Sequence, residues 1–155
     1  MNKEPVFQPI ISTRHGRIHV TNNVNSLVDM CHGLASEAGW WYSPAARLDL
    51  KDVVNNPQGP VMKLLAGALV SQKLCLTHSE ISEGMEGHRK GLKDDKLPHR
   101  DMLEVELADA VIRIFDLAGA MNMDLGGAVA EKLAFNVSRE DHKLEAREQV
   151  GGKSF

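Results

Sequence analysis

Between Val61 and Lys90 the chain runs for thirty residues without a proline, and its apolar side chains return at helical spacing until Gly91, the polar stretch Lys93-Asp94-Asp95-Lys96 and Pro98 end the pattern. A segment of that length and period must be a helix, and a helix must cover its apolar face with something. Three further helices follow the same logic. The first starts at about Asn25, read as an N-cap, and carries Leu27, Val28, Met30, Cys31, Leu34, Ala35 and Ala38 to a stop at Gly39. Another runs from about Arg100 to Met121 and closes at Asn122; the last, capped by Asp124, runs from about Leu125 to Ser138. Residues 1–23 alternate weakly around Pro5, Pro9 and Gly16, which predicts a short extended arm or hairpin. Pro44, Asn55-Asn56-Pro57 and Gly59-Pro60 predict a long connection with at most one short turn. The expected fold class is all-α, a four-helix bundle with an N-terminal extended arm at 1–23 and a helical domain at 24–155, short connections making neighbours antiparallel.

Composition narrows the function. A chain of 155 residues, 43% hydrophobic and 25% charged, has the make-up of one globular domain. A formal charge of −3 lacks the basic footprint of a protein that binds nucleic-acid polymers. Cys31 and Cys75 match neither a metal motif nor a disulfide framework and read as reduced core thiols. No apolar run approaches the roughly 20 residues of a membrane span, and Met1-Asn2-Lys3-Glu4-Pro5 leads into no signal-peptide core, so a cytoplasmic location without membrane contact is expected.

The acidic residues sit where apolar ones belong. At about 100° per residue, Met62, Leu65, Leu69 and Leu76 share an arc of roughly 60°, and Glu80 and Glu83 fall inside it. In the third helix Leu103, Leu107, Ala110, Ile114, Leu117 and Met121 form one stripe, and Val105, Ala108, Ile112 and Phe115 a second, nearly opposite. That predicts a helix buried on both sides, the second stripe meeting another subunit. The narrow wedge between them holds Glu106, Asp109, Arg113 and Asp116. Within each pair, Glu80 with Glu83 and Glu106 with Asp109, the carboxylates are one turn apart and can converge. Four carboxylates around one pocket repel severely unless a cation neutralises them, and an all-oxygen set without histidine favours Mg²⁺, or Mn²⁺, over Zn²⁺. A di-iron bundle would need Glu-x-x-His, which the chain does not contain.

The block His78-Ser79-Glu80-Ile81-Ser82-Glu83-Gly84-Met85-Glu86-Gly87-His88-Arg89, followed by Glu106-Leu107-Ala108-Asp109, resembles the MazG-like all-α nucleoside triphosphate pyrophosphohydrolases, whose hallmark is Glu-x-x-Glu, a spacer, then Glu-x-x-Asp. Lys132, Asn136 and Arg139 look like the family's Lys-x-x-x-Asn-x-x-Arg segment, and Gly151-Gly152-Lys153-Ser154-Phe155 like its tail. The resemblance covers about residues 61–155; more weakly, His32 and Gly39-Trp40-Trp41 are similar to short MazG-like proteins often carried by phages.

The resemblance implies a four-helix bundle of the MazG-like type and an Mg²⁺-dependent enzyme, Mn²⁺ being a substitute, that splits a nucleoside triphosphate into monophosphate and pyrophosphate. Glu80, Glu83, Glu106 and Asp109 would hold the metal, with Glu80 and Glu83 catalytic and Glu83 activating the water. Lys132, Asn136 and Arg139, on one face of the fourth helix, would meet the phosphates. Trp40 and Trp41 either stack on the base or plug the core or an interface, and His32 either faces the nucleotide or is an ordinary satisfied histidine. A homodimer or homotetramer is expected. The competing reading is a catalytically idle helical module that binds nucleotides or a partner as a regulator.

Overall fold

The computed structural model describes residues 7–139 together with residues 143, 146, 148 and 149. The described residues form six helices and one two-stranded ribbon: α1 (Phe7–Ser12), α2 (Arg14–Glu37), β1 (Tyr42–Ser43), β2 (Leu48–Asp49), α3 (Leu50–Asn55), α4 (Gly59–Lys90), α5 (Met102–Ala120) and α6 (Leu125–Ser138). The all-α expectation holds, with two more helices than the four anticipated. The glycine-tailed motif at 151–155 lies outside the described residues.

The extended arm expected at 1–23 is corrected: residues 7–12 are α1 and residues 14–23 open α2, while 1–6 lie outside the described residues. The two signals read as breakers are compatible with helix here. Pro9 falls in the first turn of α1, where its missing N–H has no intrahelical acceptor to lose. Gly16 is buried in the first turn of α2, and its amide donates to Thr13 Oγ1 at 2.9 Å. Asn25 is likewise no N-cap but lies inside α2.

The chain divides into two compact units, Met1–Ser26 with Asp124–Phe155, and Leu27–Met123. In the first unit α1 packs on α6. Asp124 caps α6 as expected, accepting from the Gly127 amide at 2.9 Å. Asn25 reaches the same end of α6, donating to Asp124 Oδ1 at 2.9 Å and accepting from the Gly126 amide at 2.8 Å. These bonds hold the Asp124 carboxyl below its ordinary range, the side-chain bond from Asn25 contributing most.

In the second unit the ribbon pairs Tyr42 with Asp49 and Ser43 with Leu48, antiparallel. Asp49 caps α3, accepting from the amides of Lys51 and Asp52. Trp41, Leu117 and Ala120 form a small core, with Ala35, Leu50, Val54 and Met121 packed around it. The long helix α4 ends at Gly91, whose φ of 63° is a left-handed cap that a side chain would strain. The chain then turns through a loop pinned by the buried Asp94, which accepts from the Lys96 amide at 3.0 Å, and by a bridge between Lys93 and Asp101.

After that turn α5 runs back along α4. Gly87 faces Met102, Gly84 faces Leu103 and Glu106, Glu80 meets Arg113, and Lys73 meets Asp116, so the two helices are antiparallel. Small residues let them approach: Gly84 faces Glu106 and Leu103, and Gly87 faces Met102, while Ala66 on α4 and Ala110, Ala118 and Ala120 on α5 are buried. A Cβ at Gly87 would sit 2.8 Å from Met102 Cβ, which is closer than two carbons can approach. The buried side of α5 is therefore turned about 60° from the expected apolar stripe toward the acidic wedge. Glu106 and Asp116 are buried, whereas Leu107 and Ile114 are exposed. Cys75 is exposed, correcting its expected place in the core, and Cys31 is half-buried.

Candidate metal centre

The close seam decides the geometry of the acidic residues. Glu80 and Glu83 lie one turn apart on α4, and Gly84 beside them admits Glu106, whose Cβ lies 3.2 Å from where a side chain on Gly84 would begin. Glu80, Glu83 and Glu106 each offer a carboxylate oxygen within 4.8 Å of the other two. Glu80 and Glu106 are only 7% and 8% exposed, and Glu83 lies open to solvent. Asp109, expected as the fourth ligand, is exposed one turn further along α5 and stands outside this set of three.

Glu106 shows what such crowding costs. Its pKa is raised from 4.5 to about 7, first by burial, then by a hydrogen bond shared with Glu80 and by the charges of Glu83, Glu80 and Asp109. Some relief comes from Arg113, whose Nε donates to Glu80 Oε1 at 2.6 Å. The acidic wedge of α5 suggested Asp109 and Asp116 as partners of Arg113; the residue it bonds is Glu80, across the seam. The donor set is all oxygen, without cysteine or histidine, and its mutual repulsion is the condition that a hard divalent cation such as Mg²⁺ or Mn²⁺ relieves, so the residues present fit one.

Beside this cluster lies a cavity of about 760 Å³, walled by Met30, Leu34, Trp40, Leu76 and Ile112 and reached by Lys73, Asp109, Arg113 and Asp116. Its inner end is organised by Asp116. Oδ1 accepts from Trp41 Nε1 at 2.7 Å and lies 3.0 Å from His32 Nδ1, while Oδ2 faces Lys73 Nζ at 3.4 Å. Lys73 Nζ also rests 4.2 Å over the Trp41 ring, and His32 meets that ring edge-on. The two tryptophans therefore have different places. Trp41 is 4% exposed and covered, which removes it as a stacking surface for a base, whereas Trp40 is 70% exposed and lines the cavity. His32 is the satisfied histidine of the two alternatives, held by Asp116 and by Ser36 Oγ at 3.3 Å.

Lys132, Asn136 and Arg139 are carried by α6 in the first unit, and the carboxylates by the second. Lys132 Nζ lies 5.0 Å over the Phe135 ring, and Arg139 is the C-cap of α6. Asn136 Oδ1 is enclosed and has no hydrogen-bond partner among the described residues. Glu86 pairs with Lys90 and Arg89, the plain helical pairing expected of it.

Lys73 and the hub role of Asp116 escaped the sequence reading. Nothing in its spacing sets Lys73 apart from Lys63 and Lys90 on the same helix, although Asp116, one residue before the buried Leu117, was already visible within the acidic wedge. Searches against protein-family models, curated proteins and solved structures find no match for this chain. Among the described residues, no helix is long and apolar enough to cross a membrane.

Proposed function

We propose that the protein is an Mg²⁺-dependent nucleoside triphosphate pyrophosphohydrolase of the MazG-like kind, releasing pyrophosphate and a nucleoside monophosphate in nucleotide-pool control or sanitation. The observation that carries the reading is the convergence of Glu80, Glu83 and Glu106 across the glycine-lined seam. Glu80, Glu83 and Glu106 would hold the cation, with Asp109 at the open end of the set. Bound there, a divalent cation supplies charge neutralisation for the triphosphate and for the oxyanion that develops at the attacked phosphorus.

The chain's own groups divide the remaining work. Glu83 is the exposed member of the set, so it can hold a water molecule and take its proton during attack, which requires a carboxylate within hydrogen-bond reach of solvent. Glu80, pinned by Arg113, keeps a fixed orientation. Trp40, exposed beside the cavity, is the proposed stacking surface for the base.

The decisive experiment measures pyrophosphate release from the eight ordinary ribo- and deoxyribonucleoside triphosphates with Mg²⁺ and with EDTA. Metal-dependent release is expected, and Glu83→Gln is expected to abolish it, by about a hundredfold or more, while keeping the circular dichroism of the parent. Normal turnover by Glu83→Gln would remove the water-activating role. A second reading, an idle helical regulator that binds a nucleotide or a protein, draws on one observation: Asp109 stands outside the three-carboxylate set. Nucleotide binding without pyrophosphate release from any of the eight would select it.

A further inference from the structure

Arg113 stands between the three carboxylates and the cavity and reaches both. From α5 its Nε donates to Glu80 Oε1 at 2.6 Å, and its side chain, 42% exposed against 9% for Glu80, is one of the groups lining the cavity. A guanidinium carries five N–H donors in a rigid planar fork. The bond to Glu80 uses the Nε side. Among the described residues Arg113 makes no other hydrogen bond or ion pair, so its two Nη groups keep their donors for a ligand. The other charges lining the cavity do not take them up: Lys73 is directed to Asp116 and the Trp41 ring, and Asp109, one turn before Arg113, is exposed and not bonded to it.

Bonded to a member of the carboxylate set, this positive charge acts in two opposite ways. A divalent cation held by Glu80 comes to lie close beside the guanidinium, and the two like charges repel. An anion on the cation reverses the balance, because it is drawn to both positive centres and accepts charge-assisted hydrogen bonds from the fork. A phosphate chain carries oxyanions on neighbouring phosphorus atoms, so one can meet the cation while the next meets Arg113.

We propose that Arg113 makes the site select a cation that arrives with its anion: it disfavours bare Mg²⁺ and favours Mg²⁺ carried on a phosphate chain, its Nη side taking a phosphate oxygen while Nε keeps Glu80 in place. Arg113 is then a specificity-determining residue, and the ion enters as part of the substrate complex. The proposal rests on the reading of Glu80, Glu83 and Glu106 as cation ligands and deepens it.

The test titrates the metal-stripped, full-length protein by calorimetry, once with Mg²⁺ alone and once with the preformed Mg²⁺ complex of inorganic pyrophosphate. Arg113→Gln, which removes the charge but retains a donor for Glu80, should move the two affinities in opposite directions. Bare Mg²⁺ should bind about threefold more tightly or better, and the complex about tenfold more weakly or worse. Arg113→Lys keeps the charge and loses the fork, so bare Mg²⁺ should stay within about twofold of the parent while the complex weakens by about threefold or more. A merely structural arginine would weaken both ligands alike on removal. That result, or bare Mg²⁺ binding that Arg113→Gln leaves unchanged, would overturn the proposal, as would an Arg113→Lys variant in which the complex binds as in the parent. Should Arg113→Gln not fold, Arg113→Lys decides. The readings fail separately: the expected shifts without pyrophosphate release from any nucleotide sink the reaction and keep the role of Arg113, release without the shifts does the reverse, and a protein that binds neither ligand loses the metal centre and the proposal together.

Discussion

At Glu106 burial, a shared hydrogen bond and three neighbouring carboxylates all push in one direction, holding the proton on to about pH 7 where an unfolded chain releases it near 4.5. Between those values the native state binds more protons than the unfolded one, so stability falls as pH rises through that window and levels off above it. The metal-free protein should therefore melt at a higher temperature at about pH 5 than at about pH 8, and Glu106→Gln should flatten the slope. Thermal melts in EDTA across that range check this; a melting temperature that rises with pH would contradict the crowding of the three carboxylates. Mg²⁺ should raise the melting temperature most at the alkaline end, because binding to the native state is stabilising and competes with the proton.

The α4–α5 pair is the element on which that crowding depends. Large side chains on the facing sides would hold the helices apart; Gly84, Gly87 and Ala110 bring Glu106 to Glu80. Gly87→Ala is expected to destabilise the protein by about 1–3 kcal/mol, since the new methyl meets Met102 Cβ on a backbone that must shift. Chemical denaturation measures it, and an unchanged midpoint would mean that the seam is looser than described. The bounds of α4, α5 and α6 were legible in the sequence to within two residues, because proline, glycine and aspartate punctuate them where an apolar period begins or ends. The rotation of their faces was not, since a seam of glycine and alanine carries no hydrophobic signal and the apolar stripes point elsewhere. The same bias hid α1, where a proline in a first turn reads as a breaker, and Asn25, whose capping chemistry serves the start of a different helix. The three clustered carboxylates were visible by phase alone. Lys73 was not, because what makes it notable is an aromatic ring and a carboxylate brought to it by tertiary structure.

On the scale of the whole molecule, the described residues include no large side chain that is completely buried, and Leu107, Val111 and Ile114, which share one face of α5, are all exposed. An apolar face of that extent on a helix is normally covered. We expect the chain to self-associate through α5 as a homodimer or homotetramer, giving at least twice the 17.1 kDa monomer mass by light scattering at micromolar concentration. Val111→Glu with Ile114→Glu should return it to the monomer, and a monomeric mass for the parent protein would refute the expectation. Inside the second unit, Asp116 ties together three stretches of chain: His32 from α2, Trp41 before the ribbon and Lys73 from α4. Asparagine in its place would keep one oxygen for Trp41 and His32 but turn an amide hydrogen at Lys73, and alanine would strand all three. Position 116 is thus energetically coupled to three distant positions: a change there leaves Trp41 Nε1, His32 Nδ1 and Lys73 Nζ to find new partners at once, so its cost will not simply add to the cost of changing any one of them.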